Sequence, residues 1–116
     1  MPKGELVLAK YLRVAKITDF PPNGMKLVKV DDSEILLIRV EDEIYAFDNR
    51  CPHMGFSLFL GSLNGKILCC GFHYAEFDVT TGKPLNKVTE KPLKKIAVKM
   101  VNSEIYIEVP SSKKSL

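Results

Sequence analysis

The chain has 116 residues, 46% of them apolar, which is enough for one domain with its own hydrophobic core and without disulfide support. A formal charge of +3, spread along the chain, is too small to predict a nucleic-acid-binding surface and favours at most a partner with an acidic face. Three cysteines, an odd number, argue against a disulfide framework.

The sequence shows neither a targeting signal nor a membrane span. Its N-terminal stretch is broken by Lys10 and Arg13 and has no apolar signal-peptide core and no cleavage site. The longest uncharged run, residues 51–65, is shorter than the roughly 18 residues that cross a bilayer. We therefore expect a cytoplasmic protein without a membrane anchor.

Three short segments rich in Ile, Leu, Val and aromatic residues predict successive β-strands, at residues 25–30, 34–40 and 43–47. Acidic turns separate them, and a Pro-Pro-Asn-Gly turn precedes the first.

Near the C-terminus, segments 95–100 and 105–109 alternate apolar and polar residues on either side of Asn102-Ser103, which predicts a β-hairpin. No window of ten residues or more carries a capped helical pattern. The sequence therefore predicts an all-β fold.

Residues 49–75, between these strands, are dense in Cys, His and Gly. Cys51 and His53 are spaced by one residue, and Cys70 and His73 follow, spaced by two. Two thiolates and two imidazoles on separate loops can complete a four-ligand site for zinc or for an iron–sulfur centre. Zinc modules usually take two Cys from one knuckle, whereas each loop here offers one Cys and one His.

This order of ligands resembles the Rieske family, whose pattern is Cys-x-His, a spacer of similar length, and Cys-x-x-His. Neighbouring residues extend the resemblance to the soluble Rieske ferredoxins, over about residues 11–109. They are Ile44-Tyr45-Ala46-Phe47, Asn49-Arg50-Cys51-Pro52-His53-Met54-Gly55, Phe77-Asp78 and Thr81-Gly82-Lys83-Pro84.

The resemblance implies an antiparallel β-sandwich with a small cluster-binding subdomain built from two loops. We expect one domain over residues 1–110, with the subdomain at about 45–80 and a disordered tail at 111–116.

The resemblance also implies one Rieske-type 2Fe-2S cluster at the tip of the two loops. Cys51 and Cys70 would bind one iron, and His53 and His73 the other, with the histidines facing the partner. The implied function is a one-electron carrier, not an enzyme, that takes electrons from a ferredoxin reductase and passes them to a terminal oxygenase or another redox protein. Two alternatives stay open: a small Rieske-like subunit of a nitrite-reductase-type enzyme, and a structural zinc module that mediates interactions.

Several residues depart from high-potential Rieske proteins. Phe56 and Phe72 stand where those proteins have a disulfide, and Ala75 and Phe77 stand where they place serine and tyrosine hydroxyls against cluster sulfurs. The absence of these two hydrogen-bond donors predicts a reduction potential near the low end of the range for Rieske clusters, about −150 mV. Cys69 abuts a proposed ligand, and Cys69-x(3)-His73 offers an alternative register. Because Cys69 ends a predicted strand at residues 66–69, we interpret it as a packed residue.

The second loop differs in two further ways. Gly71 stands where the family often has proline, and Tyr74 where a small residue commonly follows the second histidine. Met54 and Tyr74, with Phe56 and Phe72, are expected to form an apolar collar that excludes water and offers a docking surface.

Overall fold

The part of the chain that the structure describes is built almost entirely of β-strands. A computed structural model describes residues 10–52, 54–71 and 73–109. Two 3₁₀ turns, Ile17–Asp19 and Leu58–Leu60, are the only helical elements in those ranges. The strands are β1 (Lys10–Lys16), β2 (Asn23–Val30), β3 (Ser33–Val40), β4 (Glu43–Asp48), β5 (Ser62–Asn64), β6 (Ile67–Cys69), β7 (Glu76–Asp78), β8 (Lys95–Ile96), β9 (Val98–Val101) and β10 (Glu104–Val109). The prediction of an all-β fold is confirmed.

The strands form three antiparallel sheets, with the orders β9-β10-β1, β2-β3-β4-β8 and β5-β6-β7. The three strands predicted in the first half of the chain are β2, β3 and β4. The predicted C-terminal hairpin is β9 and β10, whose turn residues Asn102 and Ser103 both have positive φ, at 52° and 71°. This left-handed pair matches the twist that two-residue hairpin turns require.

Segment 95–100, predicted as one strand, is divided at Ala97. Lys95–Ile96 pairs with β4, whereas Val98–Val101 pairs with β10 in another sheet. The alternating pattern continues across the division, so the pattern alone did not show that the chain changes sheets.

Strand β3 is the centre of the molecule because both of its faces are buried. Successive side chains of a strand point to opposite faces. Ile35 and Leu37 therefore face a core that they share with Ile105 and Ile107 of β10. This core joins the sheet β2-β3-β4-β8 to the sheet β9-β10-β1 in a sandwich. Leu36 points to the opposite face of β3, into a second core that includes side chains of the third sheet.

The third sheet and the chain that follows β4 form the end of the molecule where Cys51 and Cys70 lie. Their core is a cluster of buried side chains, packed on the outer face of β3 and β4. It contains Leu36, Ile38, Val40, Phe47, Cys51, Leu58, Leu68, Cys70, Ala75, Phe77, Val79 and Leu93. We call this cluster the loop core.

Some predicted features lie outside the described residues: His53, Phe72 and the tail at 111–116. Within the described ranges, no helix is long and apolar enough to cross a membrane.

Candidate metal centre

Two loops at one end of the molecule are closed by equivalent hydrogen bonds. The backbone N–H of Cys51 donates to the carbonyl of Phe56 at 2.8 Å, and the N–H of Cys70 donates to the carbonyl of Ala75 at 2.8 Å. In both loops the cysteine thus bonds the residue five positions later. Each candidate cysteine begins a closed loop, and each candidate histidine belongs to the loop that its cysteine begins.

The structure brings the two cysteines into the loop core. Cys51 is 2% exposed and Cys70 1%. His73, in contrast, is exposed to solvent. The second loop therefore turns its thiol inward and its imidazole residue outward. Among the described residues, which leave out His53, no three Cys, His, Asp or Glu side chains are arranged to hold a single metal ion.

The segment that follows the first loop touches the start of the second loop through backbone atoms at glycine positions. A side chain at Gly61 would overlap the carbonyl of Cys69, and one at Gly71 would lie 3.2 Å from the carbonyl of Leu60. Glycine at Gly61 therefore permits the close approach of this segment to the backbone of Cys69 and Gly71. Gly71, which departs from the family's proline, lies at the same contact.

Asn49 anchors the first loop, and sequence reasoning gave it no separate role. It is fully buried, and its Nδ2 donates to Ser57 Oγ at 2.8 Å and to Glu34 Oε1 at 3.2 Å. Its Oδ1 accepts the N–H of Phe59 at 2.9 Å. Because a buried amide is costly unless it is hydrogen-bonded, this satisfied set fixes the loop against β3. The only sequence signal was a carboxamide directly after a buried strand.

Cys69 behaves as a packed strand residue. It lies half-buried on β6, paired with Ser62 on one side and Glu76 on the other. Burial, and after it the negative charge of Glu76, raise the pKa of the Cys69 thiol. Since the thiolate is the form that binds metals, these surroundings make Cys69 a poorer ligand.

Two positions inside the loop core carry no hydroxyl. Ala75 and Phe77 are fully buried, Ala75 at the end of the second loop and Phe77 on β7. Phe56, at the end of the first loop, packs against the same core. The inner lining of the loops is therefore apolar at each of the three positions.

Comparisons with known proteins agree with this architecture. The family model for the Rieske [2Fe-2S] domain matches residues 10–97. The chain is 36% identical over 99 residues to the ferredoxin component of the naphthalene 1,2-dioxygenase/salicylate 5-hydroxylase systems of a Ralstonia species, covering 85% of this chain and 95% of that protein.

Two solved structures share the fold. One is the ferredoxin of carbazole 1,9a-dioxygenase from Nocardioides aromaticivorans IC177, with a TM-score of 0.78, 28% identity, and coverage of 84% of this chain and 95% of that one. The other is a chain in the complex of reduced oxygenase and oxidised ferredoxin in carbazole 1,9a-dioxygenase. Its TM-score is 0.79 and its identity 31%, over 84% of this chain and 92% of that one.

Proposed function

This chain belongs to the Rieske [2Fe-2S] family, and from that premise we propose that four side chains hold its cluster: Cys51, His53, Cys70 and His73. Cys51 and Cys70 bind one iron, and the two histidines bind the other. The cluster, when bound, supplies reversible one-electron chemistry.

The observation that carries this proposal is the equivalent closure of the two loops. The bonds from Cys51 to Phe56 and from Cys70 to Ala75 set two thiols inside one apolar core. Thiolate ligands in such surroundings are shielded from water, and an apolar shell with few donors disfavours additional negative charge. His73, on the second loop, is exposed to solvent, so a partner can reach the site from the side opposite the buried thiols.

The protein is a ferredoxin that carries single electrons from a reductase to an oxygenase and is not itself the catalyst. An electron carrier must expose one edge of its site and bind its partners weakly enough to exchange them. Met54, Leu60 and Tyr74, exposed by 59%, 78% and 71%, lie on or beside the two loops and provide an apolar surface for such contacts.

The names of the relatives support a ferredoxin component over a nitrite-reductase subunit or a zinc module. We propose a cytoplasmic location, because the cysteine ligands must stay reduced until the cluster is assembled. We also propose that residues 1–110 form one domain, with the cluster-binding subdomain at about 45–80.

Adjacent cysteines allow a matched test of the ligand set. Cys70→Ser should lower the iron and sulfide content of the purified protein sharply, whereas Cys69→Ser should retain both. Cys51→Ser, His53→Ala and His73→Ala should each behave like Cys70→Ser. Loss of iron in Cys69→Ser with retention in Cys70→Ser would assign the second thiolate to Cys69 and overturn the proposed register.

A further inference from the structure

The second loop has a backbone conformation that its own residues do not favour. His73 and Tyr74 both have left-handed φ values, 62° and 59°. L-residues other than Asn and Asp rarely adopt this region, and two in succession are rarer still. The first loop has a glycine, Gly55, at its left-handed position, with φ of 79°. Contacts from outside the second loop must therefore hold His73 and Tyr74 in place.

Asn86 makes such contacts from a distant part of the chain. Its Nδ2 donates to the carbonyl of Tyr74 at 2.9 Å, and its Oδ1 accepts the N–H of Glu76 at 3.4 Å. The amide of Asn86 thus spans Ala75, the residue whose carbonyl closes the loop on Cys70. One side chain bonds the backbone on both sides of the loop's closing residue.

The surrounding backbone extends this contact. Pro84 forms a bridge with Phe77, and the N–H of Leu85 donates to the carbonyl of Glu76 at 2.7 Å. Segment 84–86 therefore runs along β7 like a short extra strand. The side chain of Asn86 continues that pairing one step further, to the carbonyl of Tyr74 in the loop.

Only a carboxamide satisfies all the neighbours of this side chain. The Oδ1 of Asn86 also accepts the N–H of Val88 at 3.4 Å, so it faces two donors while Nδ2 faces a carbonyl. Aspartate would set a carboxylate oxygen against the Tyr74 carbonyl. Serine could keep the turn to Val88 but is too short to donate to Tyr74.

We propose that Asn86 is a positioning residue for the cluster. It fixes the left-handed pair His73–Tyr74, and thereby sets the direction from which His73 reaches its iron. This inference rests on the proposed ligand role of His73. Mutating a residue that orients a metal ligand typically lowers metal affinity by about 10- to 100-fold, which sets the scale of the expected effect.

The test compares Asn86→Ser and Asn86→Asp with two controls, Asn64→Ser and Asn64→Asp. Asn64 is exposed on β5, in the same subdomain, and Asn64→Asp adds the same charge. The measurements are the rate of iron release to a chelator and the g values of the dithionite-reduced protein by electron paramagnetic resonance. Both Asn86 variants should lose iron at least about tenfold faster than their controls and show shifted g values.

A second substitution distinguishes a loss of His73 positioning from a general loss of protein stability. Glycine adopts left-handed φ without a steric cost, so Tyr74→Gly should restore slow iron release in the Asn86→Ser background. If wild-type protein shows the Rieske signal but the Asn86 and Asn64 variants behave alike, this inference is wrong. Faster release in Asn86→Ser without rescue by Tyr74→Gly contradicts it as well. A wild-type protein without the signal would instead overturn the proposed function.

Discussion

At the scale of single residues, the interior of the two loops determines how well a reduced cluster is stabilised. Ala75 and Phe77 present a methyl group and a phenyl ring from buried positions. Hydroxyl donors to cluster sulfurs stabilise the extra negative charge of the reduced state, and these two side chains supply none. This composition favours a reduction potential near the low end of the Rieske span, about −150 mV.

Introducing the hydroxyls should raise the potential. A hydrogen bond to a charged group contributes about 1.5–3 kcal/mol, and for one electron about 1.4 kcal/mol corresponds to about 59 mV. Since only the difference between the two oxidation states counts, Ala75→Ser and Phe77→Tyr should each raise the potential by about 50–100 mV. Protein-film voltammetry would measure this, with exposed Phe59→Tyr as a control that leaves the potential unchanged. An unchanged or lower potential in both variants, with intact spectra, would show that neither position addresses the cluster.

The candidate ligands could be found from the sequence because their pattern is local. Each pair of Cys and His lies within four residues, and the two pairs share one segment of the chain. Asn49 and Asn86 could not be found in the same way. Asn49 bonds Glu34, and Asn86 bonds Tyr74, so their roles depend on which distant segments the fold brings together.

At the scale of secondary structure, β3 separates two cores. Neighbouring leucines on it are both fully buried, but Leu36 faces the loop core and Leu37 faces the sandwich. The strand therefore supports the loop core, with the proposed metal centre, on one face and the sandwich on the other.

This arrangement provides a matched pair of variants. Leu36→Ala and Leu37→Ala should each lower the free energy of unfolding by about 2–5 kcal/mol, because each leaves a cavity in a packed core. Only Leu36→Ala should also speed iron release to a chelator, since its cavity opens beneath the loops. Chemical denaturation and iron-release kinetics on both proteins would check this. Equal acceleration in both variants would mean that the two cores are not separate supports.

The long apolar strands were predictable, whereas β1, β5 and β7 were not. Strands β2, β3 and β4 each have six residues or more and a clear apolar pattern. Strands β5 and β7 have three residues each, too few for a periodic signal, and exist because they pair with β6. Ala15 is the only residue of strand β1 that is fully buried, so the strand has no clear apolar pattern in its sequence. Its pairing with β10 determines its conformation.

At the scale of the whole molecule, one segment of the chain is nearly free of charged residues. Lys66 is the only residue with a formal charge at neutral pH between Cys51 and Ala75, although 27% of the chain is charged. The two loops of the proposed cluster site therefore form an uncharged, partly apolar tip on a protein of net charge +3. Net charge affects the rate of encounter over long distances, whereas the contact surface determines how firmly the partner is held.

In the proposed complex with a terminal oxygenase, salt should consequently affect the association rate and the dissociation rate differently. Between about 0.05 and 0.5 M salt, the association rate should fall, while the dissociation rate changes by less than about threefold. Stopped-flow or surface-based kinetics would separate the two rates, and Leu60→Lys, a charge placed on the tip, should make dissociation salt-dependent. A wild-type dissociation rate that rises steeply with salt would indicate charged contacts at the interface and contradict an uncharged docking tip.

We propose that this ferredoxin binds its 2Fe-2S cluster with two thiolates and two imidazoles. The most direct measurement is the electron paramagnetic resonance spectrum of anaerobically purified, dithionite-reduced protein, with iron, sulfide and zinc analysed on the same sample. We expect equal amounts of iron and sulfide and a reduced-cluster signal whose average g value lies below that of an all-thiolate cluster. A sample without this signal that contains zinc and no sulfide would contradict a 2Fe-2S cluster in this protein.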